Sequence, residues 1–507
     1  MEKKNGNING TPESGIFDRI LKYTGVFGGV QFVSVLVIFV LNKIKSIWLG
    51  PACYGITESL NRNTDVIKGA TNLGIQTVAV PRLSRDSEAN DAEQLRETVL
   101  VTRSWALLTA IAGMAVCLIL APFLGRWAFG GDGEYTVSFM LMSAAVAASA
   151  VTGGEMAILR GKGLMRQVAL SQFLTSVVSL CVSVPLYWWL KLDGIAPVLV
   201  LSALGSMVVT CCYSFRSFPY RALPFSRRVL GEGLGMIGFG VFFTVAAFLG
   251  AWAWSIVARF LTGKGGPELT GIYSAGYMLV SYFTTMLLSV NDSEYFPRLS
   301  AAVQDKERLY STVNNQTLAM LMLSAPMVIC FIIVMPLVIY VVLEYGKFYA
   351  SIALAQLAVA GVFFKSASQP VASIILAKSD RTIYLFQETL CYILLVLCVI
   401  CGYNLLGTMG VGIALAIWEM IYMGIVLIVS KIRYGYRMSG NVVISFLIQA
   451  ILVTTVSALS QCGKSVTLAV SLALLSVSAI YSYVFFRRHT TFVSGLGAKI
   501  LNLFHGN

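Results

Sequence analysis

The sequence predicts an all-α, polytopic integral membrane protein with about fourteen transmembrane helices. Three observations predict this class. The 507 residues are 57% hydrophobic and only 12% charged, with a mean hydropathy of +0.77. Apolar runs of about 18 or more residues recur along the chain, and each is long enough to cross a hydrocarbon core of about 30 Å as a helix. Two parts of the chain also align with each other without a gap, which indicates an internal duplication.

The predicted spans are numbered 1 to 14 in chain order. Their boundaries are 24–42, 55–80, 104–125, 136–159, 168–190, 194–214, 236–261, 271–296, 315–342, 350–376, 384–402, 408–430, 441–459 and 465–486. Residues 1–15 are polar and are not followed by the apolar segment and small-residue cleavage site of a signal peptide. We therefore expect a flexible cytoplasmic tail at the amino terminus.

The basic residues are distributed unevenly between the two sides of the membrane. With the amino terminus in the cytoplasm, the cytoplasmic tails and loops hold 26 of the 37 Lys and Arg residues, and the outer loops hold 8. This bias predicts that both termini are cytoplasmic. It also accounts for much of the net charge of +13. Because the basic residues are scattered between spans and form no single patch, no nucleic-acid partner is expected.

The internal repeat predicts two similar lobes. Gly55-Ile56 aligns with Gly271-Ile272, and the Pro-Arg-Leu-Ser sequence that starts at Pro81 aligns with the one that starts at Pro297. The shift that carries Gly55 onto Gly271 is called the repeat offset. Six spans separate the copies, so both enter the membrane in the same direction, as in transporters built from parallel repeats.

The repeat also sets the predicted organisation of the chain. It is a tail (1–15), an N-lobe of six spans (16–215), a cytoplasmic linker (216–234), a C-lobe of six spans (235–433), two additional spans (434–486) and a cytoplasmic tail (487–507).

Span 2 carries the most unusual pattern. On a continuous helix, seven polar residues fall within an arc of about 120°; these are Glu58, Asn61, Arg62, Asp65, Lys68, Asn72 and Gln76. A charge at the centre of a spanning helix costs roughly 2.5 to 3.5 kcal/mol, so this polar stripe is expected to face a wet cavity. The alternative is an amphipathic helix at the membrane surface. Mutual pairing of Glu58, Arg62 and Asp65 would give those three residues a structural role.

The second half of the chain places its mid-span charges elsewhere. Lys365 lies in span 10 with Gln369 one turn away, and Glu419 lies in span 12. Two interpretations of Lys365 remain open: an ion pair with an acid such as Glu419, or a cation that awaits an anionic ligand. A carboxylate at the midplane without a permanent partner would make Glu419 a candidate proton carrier.

Other polar residues have simpler explanations. Glu155, Glu388, Asp292 and Glu294 lie near span ends, where interfacial solvation is expected to suffice. The ten cysteines lie in or next to apolar spans and are interpreted as small packing residues. The only histidines, His489 and His505, lie in the predicted carboxyl-terminal tail. No metal site, catalytic residue or cofactor is therefore predicted.

Several motifs resemble one family of membrane proteins. They are WLGPACYGI after span 1, the PRLS endings of spans 2 and 8, AILRGKG after span 4, LEYGKFYAS between spans 9 and 10, and LLGTMGVGIALAIWEMIY in span 12. In this order they are similar to the polysaccharide (O-antigen type, Wzx) flippases of the multidrug, oligosaccharidyl-lipid and polysaccharide exporter superfamily. Many members have twelve helices, whereas fourteen are predicted here, as in the related lipid II flippases.

The resemblance implies a transporter and not an enzyme. Its substrate would be an oligosaccharide on an undecaprenyl pyrophosphate carrier, moved across the bilayer of the bacterial inner membrane by alternating access. Arg62, Lys68 and Lys365 are the candidate ligands of the pyrophosphate, and Asn61, Asn72, Gln76 and Gln369 those of the sugar. Glu58, Asp65 and Glu419 are assigned to cavity ion pairs or to a coupling ion, a proton or sodium. The alternatives are a drug or cation antiporter of the same superfamily and a membrane glycosyltransferase or polymerase.

Overall fold

The computed structural model describes residues 12–89, 92–131, 133–219, 227–462 and 465–489. Twelve α-helices follow one another: α1 (Pro12–Thr71), α2 (Ile75–Glu88), α3 (Ala92–Phe129), α4 (Thr136–Gly161), α5 (Met165–Leu190), α6 (Ile195–Ser217), α7 (Arg227–Ala302), α8 (Lys306–Val342), α9 (Tyr345–Ala377), α10 (Arg381–Tyr434), α11 (Gly440–Leu459) and α12 (Ser465–His489). The described ranges contain no β-strand, so the predicted all-α class is confirmed.

The number of membrane crossings agrees with the prediction once the longest helices are divided. Ten helical segments of the described residues are long and apolar enough to cross a membrane. Four of them are interrupted by non-helical backbone, at Gly50, Lys191, Gly265-Gly266 and Gly407. Dividing these four segments gives fourteen. The chain is therefore a multi-pass membrane protein.

Parts of the predicted tails and linker lie outside the described residues. These are 1–11, 220–226 and 490–507, together with His505. Helix α1 begins at Pro12, so residues 12–15 are helical and do not belong to the predicted flexible tail.

The chain groups into two compact units. The first comprises Met1–Leu49, Ile67–Arg126 and Gly131–Thr244, and the second comprises Gly50–Val66, Trp127–Gly130 and Val245–Asn507. Residues 50–66, which include the first part of span 2 (55–66), thus group with the second unit. The lobe boundaries at 16–215 and 235–433 remain a prediction.

The duplication is visible in the backbone as well as in the sequence. Gly50 has φ 67° and ψ −165°, and Gly266, its counterpart at the repeat offset, has φ 68° and ψ −172°. Each glycine divides a long helix and is followed by a proline, Pro51 or Pro267. This left-handed conformation suits glycine, and proline suits the first turn of the helix that follows.

Two further pairs at the repeat offset also share a positive φ. Gly163 (72°) is matched by Ser379 (56°), and Lys191 (52°) is matched by Gly407 (62°). The first pair follows α4 and α9, and the second divides the hairpins at α5–α6 and within α10. The same offset therefore also relates positions 163 and 191 to the second copy, beyond the stretches that the sequence alone aligned.

The PRLS motifs contribute equivalent residues to the core of each unit. Leu83 is 1% exposed and packs in a cluster with Ile158 in the first unit. Leu299 is fully buried in a cluster with Ile374 in the second. Leu83 and Leu299 are counterparts at the repeat offset, and so are Ile158 and Ile374. The motif therefore anchors the end of one span against the end of another in both copies.

Span 2 is not the single continuous helix that the sequence predicts. Helix α1 ends at Thr71 and α2 begins at Ile75, and between them Leu73 and Gly74 have φ values of 50° and 67°. The prediction of one helix over 55–80 was wrong. The polar stripe therefore continues as one face of α1 only as far as Lys68. Asn72 lies in the break itself, and Gln76 lies in the first turn of α2.

Candidate functional site

The first unit contains a cavity of about 530 Å³ bordered by α1, α2, α4 and α6. It is lined by Lys68, Thr71, Asn72, Gln76, Val80, Val146, Ser149, Ala150, Thr152, Gly153, Met156, Ala157, Arg160, Ala203 and Ser206. Lys68 and Arg160 are cationic, and none of these described lining residues is acidic. The cavity, named here the first cavity, therefore favours an anionic ligand with hydrogen-bonding groups.

Three of the predicted site residues meet in the first cavity, and one lining cation was missed. Lys68, Asn72 and Gln76 were predicted from the stripe. Arg160 lies in the last turn of α4, inside the AILRGKG motif. A basic residue in that position usually stabilises the helix dipole, so no sequence signal indicated that Arg160 lines a cavity.

The break between α1 and α2 lies at the first cavity. The Asn72 N–H still donates to Lys68 O (2.9 Å), and the Ile75 N–H donates to Asn72 O (3.2 Å). No side chain caps the amino terminus of α2. Non-helical backbone at membrane depth is tolerated where it is buried in protein or lines a water-filled space. The break and the polar lining therefore describe the same hydrated space.

The Gln76 side chain lies against a glycine of α4. A Cβ on Gly153 of α4 would overlap the side-chain amide of Gln76. The absence of a side chain at position 153 lets the amide lie directly against α4, where both residues line the first cavity. Gly153 is thus a positioning residue for a predicted ligand of the substrate.

The earlier part of the stripe lies in the second unit, where two of its charges pair with each other. Arg62 Nε donates to Glu58 Oε1 at 2.6 Å, and the Arg62 guanidinium lies 5.2 Å from the centre of the Trp254 ring. The predicted i,i+4 pairing of Glu58 with Arg62 is confirmed. Asn61 and Asp65 are half-buried. Neither is among the described residues that line the first cavity or the second cavity, which is described below.

Three residues on the apolar face of span 2 are buried. Ile56, Leu60 and Ile67 are 5%, 1% and 2% exposed, respectively. The stripe positions Glu58, Asn61, Arg62, Asp65 and Lys68 are all half-buried. The two faces of this helix therefore differ in burial.

A second cavity, of about 160 Å³, lies in the second unit. It is lined by Tyr277, Val280, Ser281, Thr284, Thr285, Ala358, Val362, Lys365, Leu415, Trp418 and Glu419. Lys365 Nζ and Glu419 Oε1 are 2.9 Å apart, and the ammonium lies 5.7 Å from the centre of the Trp418 ring. Side-chain exposure is 31% for Lys365 and 11% for Glu419, so the pair borders the cavity.

This geometry corrects part of the expectation for the midplane charges. The structure favours the ion-pair interpretation of Lys365, and Glu419 is not a carboxylate without a partner. Gln369 is half-buried one turn further along α9, and its backbone oxygen accepts a hydrogen bond from Ser373 (3.0 Å). Gln369 is not among the described residues that line the second cavity.

The two cavities occupy equivalent positions in the two copies of the repeat. The repeat offset places Lys68, Val146, Ser149 and Ala203 on Thr284, Val362, Lys365 and Glu419. Each cavity thus has one lysine among these four positions. The two lysines are not equivalent, because Lys68 aligns with Thr284 and Lys365 aligns with Ser149. The first cavity has Ala203 where the second has the carboxylate of Glu419. The copies therefore share a geometry and differ in charge.

Glu155 is buried, which corrects the expectation of interfacial solvation. It is 4% exposed, and Arg103, also 4% exposed, donates to its two oxygens at 2.8 and 3.1 Å. The Ser214 hydroxyl donates to Glu155 Oε2 at 2.5 Å, and Arg103 also donates to the Phe218 carbonyl at 3.1 Å. This bidentate pair joins α3, α4 and α6 inside the first unit.

Several solved membrane transporters have a similar fold. The lipid II flippase MurJ in an inward closed conformation matches with a TM-score of 0.67 at 12% identity, over 91% of this chain and 99% of that chain. An inward-facing multidrug resistance MATE family transporter of the MOP superfamily gives 0.64 at 17% identity, over 79% and 94%. A MOP superfamily transporter from Pyrococcus furiosus gives 0.58 at 15% identity, over 80% and 94%. The chain therefore has the MOP transporter fold.

The family follows from the sequence itself. Residues 48–354, which are more than half of the chain, match the family described as "Polysaccharide biosynthesis protein". The protein belongs to this family, and the resemblance to polysaccharide exporters is confirmed. A comparison with curated proteins found no match.

Proposed function

We propose that this protein is a flippase that moves an oligosaccharide on an undecaprenyl pyrophosphate carrier from the cytoplasmic to the outer leaflet of a bacterial inner membrane. The observation that carries the proposal is the charge of the first cavity, where Lys68 and Arg160 are present and no described lining residue is acidic. A pyrophosphate cannot cross hydrocarbon without counter-charges, and a hydrated cationic cavity supplies them. Membership in a polysaccharide biosynthesis family supports the sugar part of the substrate.

Lys68 and Arg160 bind the pyrophosphate in this proposal, and Asn72 and Gln76 bind the first sugar. Amide side chains both donate and accept hydrogen bonds, which suits sugar hydroxyls. Asn61 and Gln369 would contact more distant sugars. Glu58 would orient the Arg62 guanidinium toward the substrate. The polyprenyl chain remains in the lipid bilayer, and the cycle needs no chemical step and no cofactor.

Lys365 is proposed to bind the pyrophosphate only after its pair with Glu419 opens. Protonation of Glu419 would remove the competing negative charge and release the ammonium, so proton binding and substrate binding would favour each other. A sodium ion that binds Glu419 would have the same effect. This is how Glu419 would couple transport to an ion gradient.

The leading alternative is an antiporter of cationic drugs with the same fold. The absence of acids among the described lining residues of the first cavity argues against it, because a cationic substrate requires negative or aromatic partners. The Pyrococcus furiosus relative is described as having a binding pocket of reverse polarity that suggests a different function. Cavity charge is therefore a suitable criterion within this fold.

The test is a translocation assay in reconstituted vesicles that contain a fluorescent undecaprenyl-pyrophosphate oligosaccharide. Lys68→Gln removes one charge-assisted contact worth about 1.5 to 3 kcal/mol and should slow translocation roughly tenfold or more. Lys431→Gln is the matched control, because Lys431 is exposed at the end of α10 and does not line the cavity. Wild-type translocation by Lys68→Gln, or export of a cationic dye in place of the lipid-linked sugar, would overturn the proposal.

A further inference from the structure

A third cavity, of about 750 Å³, lies in the second unit where four helix ends meet. Its lining residues come from the end of α7, the start of α8, the start of α11 and the end of α12. It shares no lining residue with the first or second cavity. Asn314 of α8 accepts hydrogen bonds from the Tyr436 hydroxyl and the Ser439 N–H, both at 3.0 Å, which fixes the start of α11 at this level.

The cavity changes from polar to apolar along α8. Arg308 and Thr312 line its outer part, Gln316 follows, and Leu318 and Ala319 line its inner part. The rise of an α-helix places the Cα atoms of Arg308 and Ala319 about 16 Å apart along the axis. A ligand that fills this space must therefore be polar at one end and apolar at the other.

Two arginines from different helices line the cavity. Arg298 donates from Nη2 to Gln316 Oε1 at 3.2 Å, which places its guanidinium beside the middle of the cavity. Arg308 is exposed in the first turn of α8, where its backbone N–H donates to the Asp305 cap at 3.2 Å. None of the described lining residues is acidic. The lining therefore gives the polar end of the cavity a positive potential.

The inner wall is aromatic. Phe485 and Phe486 near the end of α12 are half-buried and pack edge to face, with ring centres 5.5 Å apart. They lie at the level where α12 ends, beside the exposed Arg487. An exposed arginine at the end of a spanning helix favours a position near the lipid phosphates, because long basic side chains there extend to the membrane interface.

We propose that the third cavity binds an anionic glycerophospholipid, with its phosphodiester between Arg298 and Arg308 and an acyl chain along Leu318, Phe485 and Phe486. Arginine suits a phosphate oxygen pair because its guanidinium donates two parallel hydrogen bonds. Basic pockets between spanning helices are known sites for anionic head groups. The lipid would attach α11 and α12 to α7 and α8, and this role is separate from that of the transported substrate.

The test measures which lipid stays with the purified protein. Vesicles of equal phosphatidylglycerol and phosphatidylcholine are extracted gently, and native mass spectrometry counts the lipids retained. The wild type should retain phosphatidylglycerol about tenfold over phosphatidylcholine, and Arg298→Gln/Arg308→Gln should abolish that preference. Arg433→Gln is the matched control, because Arg433 is an exposed arginine at the end of α10 that does not line the cavity.

Two further arms make the outcome decisive. Arg298→Lys/Arg308→Lys keeps the charge and should restore part of the preference, which a merely misfolded variant would not do. Glycerophosphoglycerol has the head group without acyl chains. It should compete poorly, because it cannot make the acyl-chain contacts with Phe485 and Phe486. Equal retention of both lipids, full competition by the soluble head group, or displacement of phosphatidylglycerol by undecaprenyl pyrophosphate would overturn the proposal.

Discussion

Gly55 and Gly271 lie against each other in the second unit, although they are equivalent positions of the repeat. A Cβ on Gly55 would overlap the carbonyl oxygen of Pro267 and lie 3.0 Å from the Gly271 nitrogen. A Cβ on Gly271 would overlap the carbonyl oxygen of Pro51 and lie 3.0 Å from the Gly55 nitrogen. The contact is reciprocal, so the two equivalent helix starts are related by a local twofold arrangement.

Replacing either glycine is expected to destabilise the protein. Gly55→Ala or Gly271→Ala places a methyl group on opposing backbone, which cannot rotate away, and should lower the free energy of unfolding by about 1 to 3 kcal/mol. Gly424→Ala is the control, because that glycine is helical and a Cβ there would meet nothing within 4 Å. Thermal unfolding in detergent measures the difference. Equal midpoints for Gly55→Ala and Gly424→Ala would contradict the prediction.

The repeat also identifies a strained residue. Lys191 has φ 52° and ψ −126°, a conformation that its counterpart Gly407 adopts without a side chain. A non-glycine residue in such a region costs roughly 1 to 3 kcal/mol. Lys191→Gly should therefore raise the unfolding midpoint, whereas Lys191→Ala, which keeps the Cβ, should not. A midpoint that rises equally for both variants would assign the gain to loss of the lysine charge.

Only one face of span 2 is predicted to be exposed to water in the first cavity. In a background without the ten native cysteines, Lys68→Cys should react quickly with a water-soluble thiol reagent because position 68 lines the cavity. Ile67→Cys is the matched control, since Ile67 is adjacent and 2% exposed. Faster labelling at 67 than at 68 would exclude the proposed orientation.

The pair Lys365–Glu419 allows a test that separates packing from substrate binding. Lys365→Gln is expected to abolish translocation at normal expression, because it removes a charge that the pyrophosphate needs. Lys365→Gln/Glu419→Gln leaves neither charge of the pair and should recover the stability that the single variant loses. If the double variant also recovers translocation at the wild-type rate in vesicles, Lys365 is only part of a packing ion pair.

The buried pair Arg103–Glu155 should contribute far more to stability than an exposed pair. Glu155→Gln leaves the Arg103 charge buried and is expected to cost about 3 to 5 kcal/mol. Glu344→Gln removes the partner of Lys347 in a pair that is 37% to 45% exposed, and its effect should be below about 1 kcal/mol. Similar unfolding midpoints for the two variants would show that solvent reaches Glu155.

Hydropathy allowed the spans and their number to be predicted, because those features depend on residues close together in the chain. The break at Leu73 and Gly74 was missed, since a glycine within a helical pattern does not specify an interruption without its tertiary surroundings. The pair Arg103–Glu155 joins residues 52 positions apart. Only the packing of α3 against α4 determines that contact, and a tertiary contact likewise determines the pairing of Lys365 with Glu419.

The buried cluster around Glu155 distinguishes the two copies of the repeat. Ser214 donates to Glu155, whereas its counterpart at the repeat offset, Ser430, is buried with no hydrogen-bond partner among the described residues. The position equivalent to Glu155 is Val371, so the hydroxyl of Ser430 has no carboxylate to reach. Both copies therefore carry the serine, whereas the carboxylate that it contacts is present in the first copy alone.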